Sequence, residues 1–457
     1  MDKKSGARCD STTRADLRGT TKTIFIYGAM GLITMLSVAP IALSTGNPKL
    51  VLLYALPLIV VAIAVALFFD AVGYLCVLLA ILPFSFGIGQ IEIGIVTFTP
   101  FFLGIGVTTF FVLGRSMLRI DRFGFGKLDL ALTLLCLTYL VSTLFSDKLI
   151  ESGFLAFRGI FIPVLAYFSI KGMVRMDSHS RQAIGFFVAG ITIFGIFGIG
   201  QFTVTYERNL VLGVASIGLA TFTVSAAYYL FFLKWWRKLL GFIALLVCLT
   251  AFLLSLSRVY LLIVLLSPWI FHFIRRGKGF HLFAVMMPVT LVATLLVTAA
   301  PDSFKPLHYE QSKGETVVRI TQLDYWKASL YGRAITYQES LRNFKENPFF
   351  GTGLREGKYT VTTHNFHLEW LEYGGVVGYF LYASIFFVHF WSAGKAARFD
   401  SIIAVNLLII ATILFNAVTN GLMHGMMPYV AWICIGMNEA RVRFVNTTHH
   451  ADTKVSG

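Results

Sequence analysis

Charged side chains are scarce in this sequence. Asp, Glu, Lys and Arg make up 13% of its 457 residues, against about 25% in soluble domains. Together with an apolar content of 56%, that scarcity excludes an ordinary soluble globule. Cysteine is scarce too. There are five: Cys9 in the N-terminal tail, and Cys76, Cys136, Cys248 and Cys434 inside apolar runs, so no disulfide framework is implied. The first apolar run lacks a small-residue cleavage pattern, which reads against a cleavable signal peptide. The long polar interval near the C-terminus lacks G-x-S-x-G, which argues against a Ser–His–Asp hydrolase. Neither an internal repeat nor a low-complexity tract is present.

What is present is a succession of apolar runs long enough to cross a hydrocarbon core of about 30 Å. They lie near 24–43, 50–69, 71–89, 97–114, 128–145, 154–170, 183–204, 210–233, 239–257, 259–274, 280–300, 371–393, 402–419 and 425–438. The runs are continuous rather than alternating, which excludes a membrane barrel. The expected fold is therefore an all-α polytopic membrane protein of about 12–14 transmembrane helices. Its expected organisation is a cytoplasmic tail over 1–22, a transmembrane bundle over 23–300, a large periplasmic loop over 301–370, C-terminal transmembrane helices over 371–438, and a second cytoplasmic tail over 439–457.

The net charge of +15 orients the chain and does not point to nucleic acid. Basic residues gather in short alternate segments: Lys3 to Lys22 in the tail, Arg115 to Lys127, Lys171 to Arg181, Lys234 to Lys238, Arg275 to Lys278, Lys395 and Arg398, and Arg441 to Lys454. By the positive-inside rule these face the cytoplasm, both termini included, and the 301–370 loop faces the periplasm. Within that loop, Arg333 to Glu346 places Ala334, Tyr337, Leu341 and Phe344 on one helical face. This predicts an amphipathic helix lying on the membrane or capping the bundle. Asn347-Pro348 should end it, and Gly351 and Gly353 should make the next turn.

Arg158, Arg208, Arg258, Arg319 and Arg333 stand where arginine is costly or unusual in a membrane protein. Such residues either snorkel to headgroups or are paired and functional. Converging guanidinium groups suit a diphosphate, because each offers a fork of donors to phosphate oxygens. Near the end of the loop, His364 is a candidate base at neutral pH, or a hydrogen-bonded histidine at a helix start. His364 and His367, with Glu369 and Glu372 nearby, are also readable as metal ligands, although the spacing is not the zinc-protease pattern.

Several pieces in fixed order resemble the superfamily of bacterial O-antigen ligases and O-antigen polymerases. These are Ser257-Arg258, Gly332-Arg333, Asn347-Pro348-Phe349-Phe350-Gly351-Thr352-Gly353, and His364-Asn365 followed by Glu372-Tyr373-Gly374-Gly375-Val376-Val377-Gly378. Together they cover about 250–380. One departure is local: the family's helix often opens Ser-Gly-Arg with a tryptophan soon after, whereas here it reads Tyr331-Gly332-Arg333. The resemblance implies a C-type glycosyltransferase in the bacterial inner membrane, multi-pass, with its active site facing the periplasm. Such an enzyme uses neither metal nor other cofactor. The implied partners are an undecaprenyl-diphosphate-linked glycan donor, a glycan or lipid A-core acceptor, and membrane lipids.

In that picture Arg258, Arg333 and, by a looser match, Arg158 hold the diphosphate leaving group. His364 acts as general base on the acceptor hydroxyl, so His367→Ala should be tolerated far better than His364→Ala, and Asn365 and Glu372 support the site. A single displacement would invert the sugar carbon. An O-antigen or exopolysaccharide repeat-unit polymerase would share this donor chemistry and differ in acceptor. A lipid-linked oligosaccharide flippase is the competing class, but would want charges along a central cavity where these spans have few. A non-catalytic envelope scaffold leaves the arginines without a purpose.

Overall fold

The computed structural model describes residues 70–83, 91–93, 96–117, 125–174, 176–205, 235–255, 258–300, 303, 323–354, 365–420 and 426–455. The expected spans 24–43, 50–69 and 210–233 lie outside the described residues, as do Arg208, Arg319 and His364.

The described part of every other expected span is helical, apart from the start of 97–114. After α1 (Asp70–Pro83) come the short strands β1 (Ile91–Ile93) and β2 (Val96–Phe98), then α2 (Pro100–Met117), α3 (Lys127–Leu144) and α4 (Leu149–Ala156). A π-helical segment (Phe157–Phe161) joins α4 to α5 (Ile162–Met173). There follow α6 (Asp177–Thr205), α7 (Trp235–Ser255), α8 (Arg258–Arg275), α9 (Gly279–Ala299), α10 (Leu323–Glu346), α11 (Phe366–Ala396), α12 (Ser401–Asn420) and α13 (Met427–Val455). Among the described residues, six helical stretches are long and apolar enough to cross a membrane, and four shorter apolar helices accompany them. The protein is an all-α polytopic membrane protein.

Boundaries moved where local chemistry overrode hydropathy. The run expected over 97–114 begins as β2, which pairs antiparallel with β1, Ile91 opposite Phe98. Its helix starts at Pro100, behind Thr99, whose hydroxyl accepts the Phe102 amide at 3.3 Å. The amphipathic helix is longer than the stretch from Arg333, since α10 already begins at Leu323.

One end of the bundle gathers charge. The α3 residue Asp129 is fully buried against Lys171 at the foot of α5, and it also accepts from the Tyr167 hydroxyl at 2.7 Å. Arg441 of α13 bridges Asp400 at 2.6 Å and Asp177 at 2.7 Å, while Asp400 also caps α12 through the Ile402 amide. Arg275, ending α8, donates to the Ala397 carbonyl at 3.0 Å, just past α11. Buried ions in apolar surroundings persist when paired and hydrogen-bonded, and the ion pairs join α3 to α5 and α13 to the starts of α6 and α12. Between the ends, α13 runs against α5 so closely that a Cβ on Gly436 would lie 2.7 Å from the Tyr167 carbonyl. Small residues at such crossings let membrane helices approach each other.

Candidate functional site

The opposite end is organised by a reversal inside α11. Trp370 and Tyr382 are twelve positions apart, about 18 Å along a straight helix, yet their rings stack with centroids 4.5 Å apart. His367 and Tyr379, equally spaced in sequence, meet at 3.1 Å between Nδ1 and the hydroxyl. The chain doubles back at Gly375, whose φ of 64° and ψ of −166° are open to glycine alone. A buried half-helix from Phe366 to Gly374 therefore lies antiparallel to the helix that follows from Val376. This corrects the expectation of an uninterrupted span over 371–393: the spanning part starts at the reversal. The 21 residues left, 376–396, are about 31 Å long, matching a hydrocarbon core.

A reversal strands backbone groups that water cannot reach, and the Asn347-to-Gly353 turn takes them up. The Val376 and Val377 amides donate to the Pro348 and Phe349 carbonyls at 2.8 and 3.2 Å. On the other side of the break, the Glu372 carbonyl accepts the Thr352 amide at 2.9 Å, and the Tyr373 carbonyl accepts the Ser142 hydroxyl of α3. Ser142 in turn accepts the Gly353 amide at 2.8 Å. A Cβ on Gly375 would sit 2.3 Å from the Phe349 carbonyl oxygen, and one on Gly351 would meet the Tyr373 backbone at 2.4 Å. The two glycine-bearing stretches are thus two halves of one backbone-to-backbone joint. Broken helices are tolerated in membranes where such partners exist.

At the start of the half-helix, Asn365 is fully buried and uses its whole side chain. Its Oδ1 caps the helix by accepting the His367 and Leu368 amides at 3.0 and 3.2 Å. Its amide nitrogen donates to Thr294 Oγ1 at 2.8 Å and to the Val418 carbonyl at 3.0 Å. His367 is equally committed. The Thr290 hydroxyl donates to the Met286 carbonyl at 2.8 Å, so the contact of 2.9 Å between Thr290 Oγ1 and His367 Nε2 needs the proton on Nε2. Nδ1 then accepts from Tyr379. The network assigns His367 as a neutral structural histidine with both nitrogens occupied.

Helix α10 caps this end, as one of the two expected arrangements had it. Ala334, Tyr337 and Ser340 are its buried face, and Arg342, Lys345 and Glu346 are exposed. Glu372 fastens it, accepting from the Ser340 hydroxyl and from Asn343 Nδ2 at 2.8 Å. Tyr337 donates to the Val418 carbonyl at 3.2 Å and contacts the Asn365 side chain. Burial raises the Tyr337 phenol above the ordinary tyrosine range, so it stays a donor. Arg333, half-buried one turn earlier, acts electrostatically on that phenol.

Arg333, Asn365 and Glu372 are thereby brought into one assembly. Arg158 is half-buried on the π-helical segment. Arg258 opens α8, and because Arg275 anchors the other terminus of α8 at the charged end, Arg258 lies toward the α10 end; its side chain is outside the described residues. Glu369, fully buried on the half-helix, adds a carboxylate beside Tyr139 and Tyr382. The supporting hydroxyls of α9 were not anticipated. Their signal was in the sequence: Thr290, Thr294 and Thr298 recur every fourth residue on an otherwise apolar helix, and all three are buried.

Geometry and composition define a polytopic membrane protein with a capped, re-entrant polar site at one end. Residues 242–383 match the family model described as O-antigen ligase. That segment runs from α7 through the reversal and holds Arg258, Arg333, His364, Asn365 and Glu372, so the resemblance read from the sequence stands on the part of the chain that builds the site. The family is one of glycosyltransferase-type enzymes acting on lipid-linked glycans. No curated protein matches the chain.

Proposed function

We propose that this protein is an O-antigen ligase-like glycosyltransferase of the bacterial inner membrane, working on the periplasmic side. It moves a glycan from undecaprenyl diphosphate to an acceptor hydroxyl, such as one on lipid A-core, in cell-surface polysaccharide biosynthesis. The observation that carries this reading is the coincidence of the O-antigen ligase match with the re-entrant half-helix and its α10 cap. Arg258 and Arg333, with Arg158, neutralise the diphosphate as it leaves; a leaving group carrying such charge is stabilised most by donors already in place. His364, immediately before the Asn365 cap, takes the acceptor proton. Asn365 and Glu372 hold the half-helix and α10 in register. Neither metal nor other cofactor takes part in the scheme.

The test is transfer by purified protein given a lipid-linked glycan donor and an acceptor. Arg258→Ala and Arg333→Ala should each lose about 2–4 kcal/mol of transition-state stabilisation, and Arg→Lys at either site should be impaired because the fork is lost. Wild-type transfer by Arg333→Ala at normal protein level would remove Arg333 from the site. The glycan phenotype of a deletion strain separates the two acceptor types. Uncapped core with long lipid-linked chains marks a ligase, and core capped with a single repeat marks a repeat-unit polymerase.

A further inference from the structure

We infer that Tyr429 is a positioning residue for Arg158, acting through the arginine's backbone; the inference rests on Arg158 being one of the diphosphate-binding groups. The stretch from Leu149 to Met173 is one continuous run that widens at Phe157–Phe161. There the Ile162 amide donates five residues back, to the Phe157 carbonyl. A π-turn of this kind carries one extra residue and redirects the side chains on it, and such turns gather at functional sites.

The next bond in that register would run from residue 163 to the Arg158 carbonyl. Residue 163 is Pro163, which has no N–H. The donor that an ordinary α-turn would supply, Ile162, is already engaged. The sequence Arg158-Gly159-Ile160-Phe161-Ile162-Pro163 therefore leaves the Arg158 carbonyl without a backbone donor in a half-buried setting, where an unmet acceptor is costly.

Tyr429 fills the place. Its hydroxyl donates to the Arg158 carbonyl at 2.5 Å from the first turn of α13. The phenol is 1% exposed, and its ring is gripped by α2: it stacks on Phe102 at 5.5 Å between centroids and meets the edge of Phe101 at 5.6 Å. Rigid packing fixes the hydroxyl, the hydroxyl holds the wide turn open, and the wide turn sets the direction in which the Arg158 side chain leaves the helix. Nothing in the composition of α13 points to this role, because an apolar residue would pack there equally well.

Tyr429→Phe keeps the ring and removes only the hydroxyl. The purified variant should fold and melt somewhat lower because the Arg158 carbonyl loses its donor, while its KM for a lipid-linked donor rises roughly 2- to 10-fold, the span of one ordinary hydrogen bond, with kcat little changed. In an Arg158→Ala background, Tyr429→Phe should have no further effect. Two independent multiplicative losses would overturn the inference, as would a wild-type donor KM for Tyr429→Phe when Arg158→Ala is impaired. Wild-type transfer by Arg158→Ala would instead overturn the donor-binding role of Arg158, and this inference with it. If Tyr429→Phe lowers the yield of folded protein, Pro163→Ala supplies an N–H for the Arg158 carbonyl and should restore it; failure to restore also counts against the assignment.

Discussion

At the scale of single residues, the structure gives His367 a role of its own, distinct from the base proposed at His364. His367 spends one nitrogen on Thr290 and the other on Tyr379, so its removal opens a buried polar hole and takes one hydrogen bond from each of two hydroxyls. His367→Ala should cost about 2–4 kcal/mol of stability, from the lost hydrogen bonds and the cavity, with the turnover of the surviving folded molecules largely kept. His364→Ala should do the reverse, losing about 10²- to 10⁴-fold in transfer, the contribution of a positioned base, at nearly unchanged stability. Thermal unfolding in detergent beside a transfer assay distinguishes the two patterns. Comparable catalytic losses in both variants, abolished further by a chelator, would instead revive the reading of the pair as metal ligands.

At the scale of elements, the joint between the Asn347-to-Gly353 turn and the Gly375 reversal has no slack. Gly375→Ala must place a Cβ 2.3 Å from the Phe349 carbonyl oxygen in a backbone region closed to alanine, a strain of at least about 1–3 kcal/mol before the clash is counted. Gly332, on α10 beside Arg333, has no atom within 4 Å of its would-be Cβ. Gly332→Ala should therefore be neutral or stabilise by about 0.5–1 kcal/mol, the ordinary helical gain. A lower melting temperature for the first variant and not the second is the expected result; equal melting would mean the reversal is not held as described. This joint was half legible in the sequence. The turn residues and the Gly374-Gly375 pair were visible, and so was the helix that caps the bundle. The reversal was not, because hydropathy averages over a window and sees Leu371 and Tyr382, on either side of Gly375, as members of one apolar run. The π-turn at Arg158 was hidden for a different reason: Pro163, well inside the Leu149–Met173 run, marks a gap in the hydrogen-bond ladder, but only the partner supplied from α13 shows which carbonyl is orphaned.

At the scale of the whole molecule, the two ends of the bundle have different chemistry, and the difference is the one expected of the two faces of a membrane. One end holds the buried charge pairs and the basic helix ends. The other holds hydroxyls, amides and the carboxylates of Glu369 and Glu372 on and around the half-helix, with the candidate arginines on the surrounding elements. The charge segregation was legible from the short basic segments, whereas the pairing of Lys171 with Asp129 was not, since the two are far apart in sequence and meet only when α3 and α5 are packed. Their role follows from distance. Asp129 and Ser142 sit on the same helix, thirteen positions apart, so about 20 Å of α3 separates the pair from the joint beneath the candidate site. Asp129→Asn leaves the Lys171 ammonium buried without its counter-charge, which should destabilise the protein by about 3–5 kcal/mol. Replacing both partners, as Asp129→Leu with Lys171→Met, removes the charge altogether and should recover most of that loss. Transfer per folded molecule should match the wild type in the double variant, because nothing at the donor end has changed. A double variant that melts normally and yet fails to transfer glycan would mean that the charged end is coupled to the reaction, and that the division of labour between the two ends is wrong.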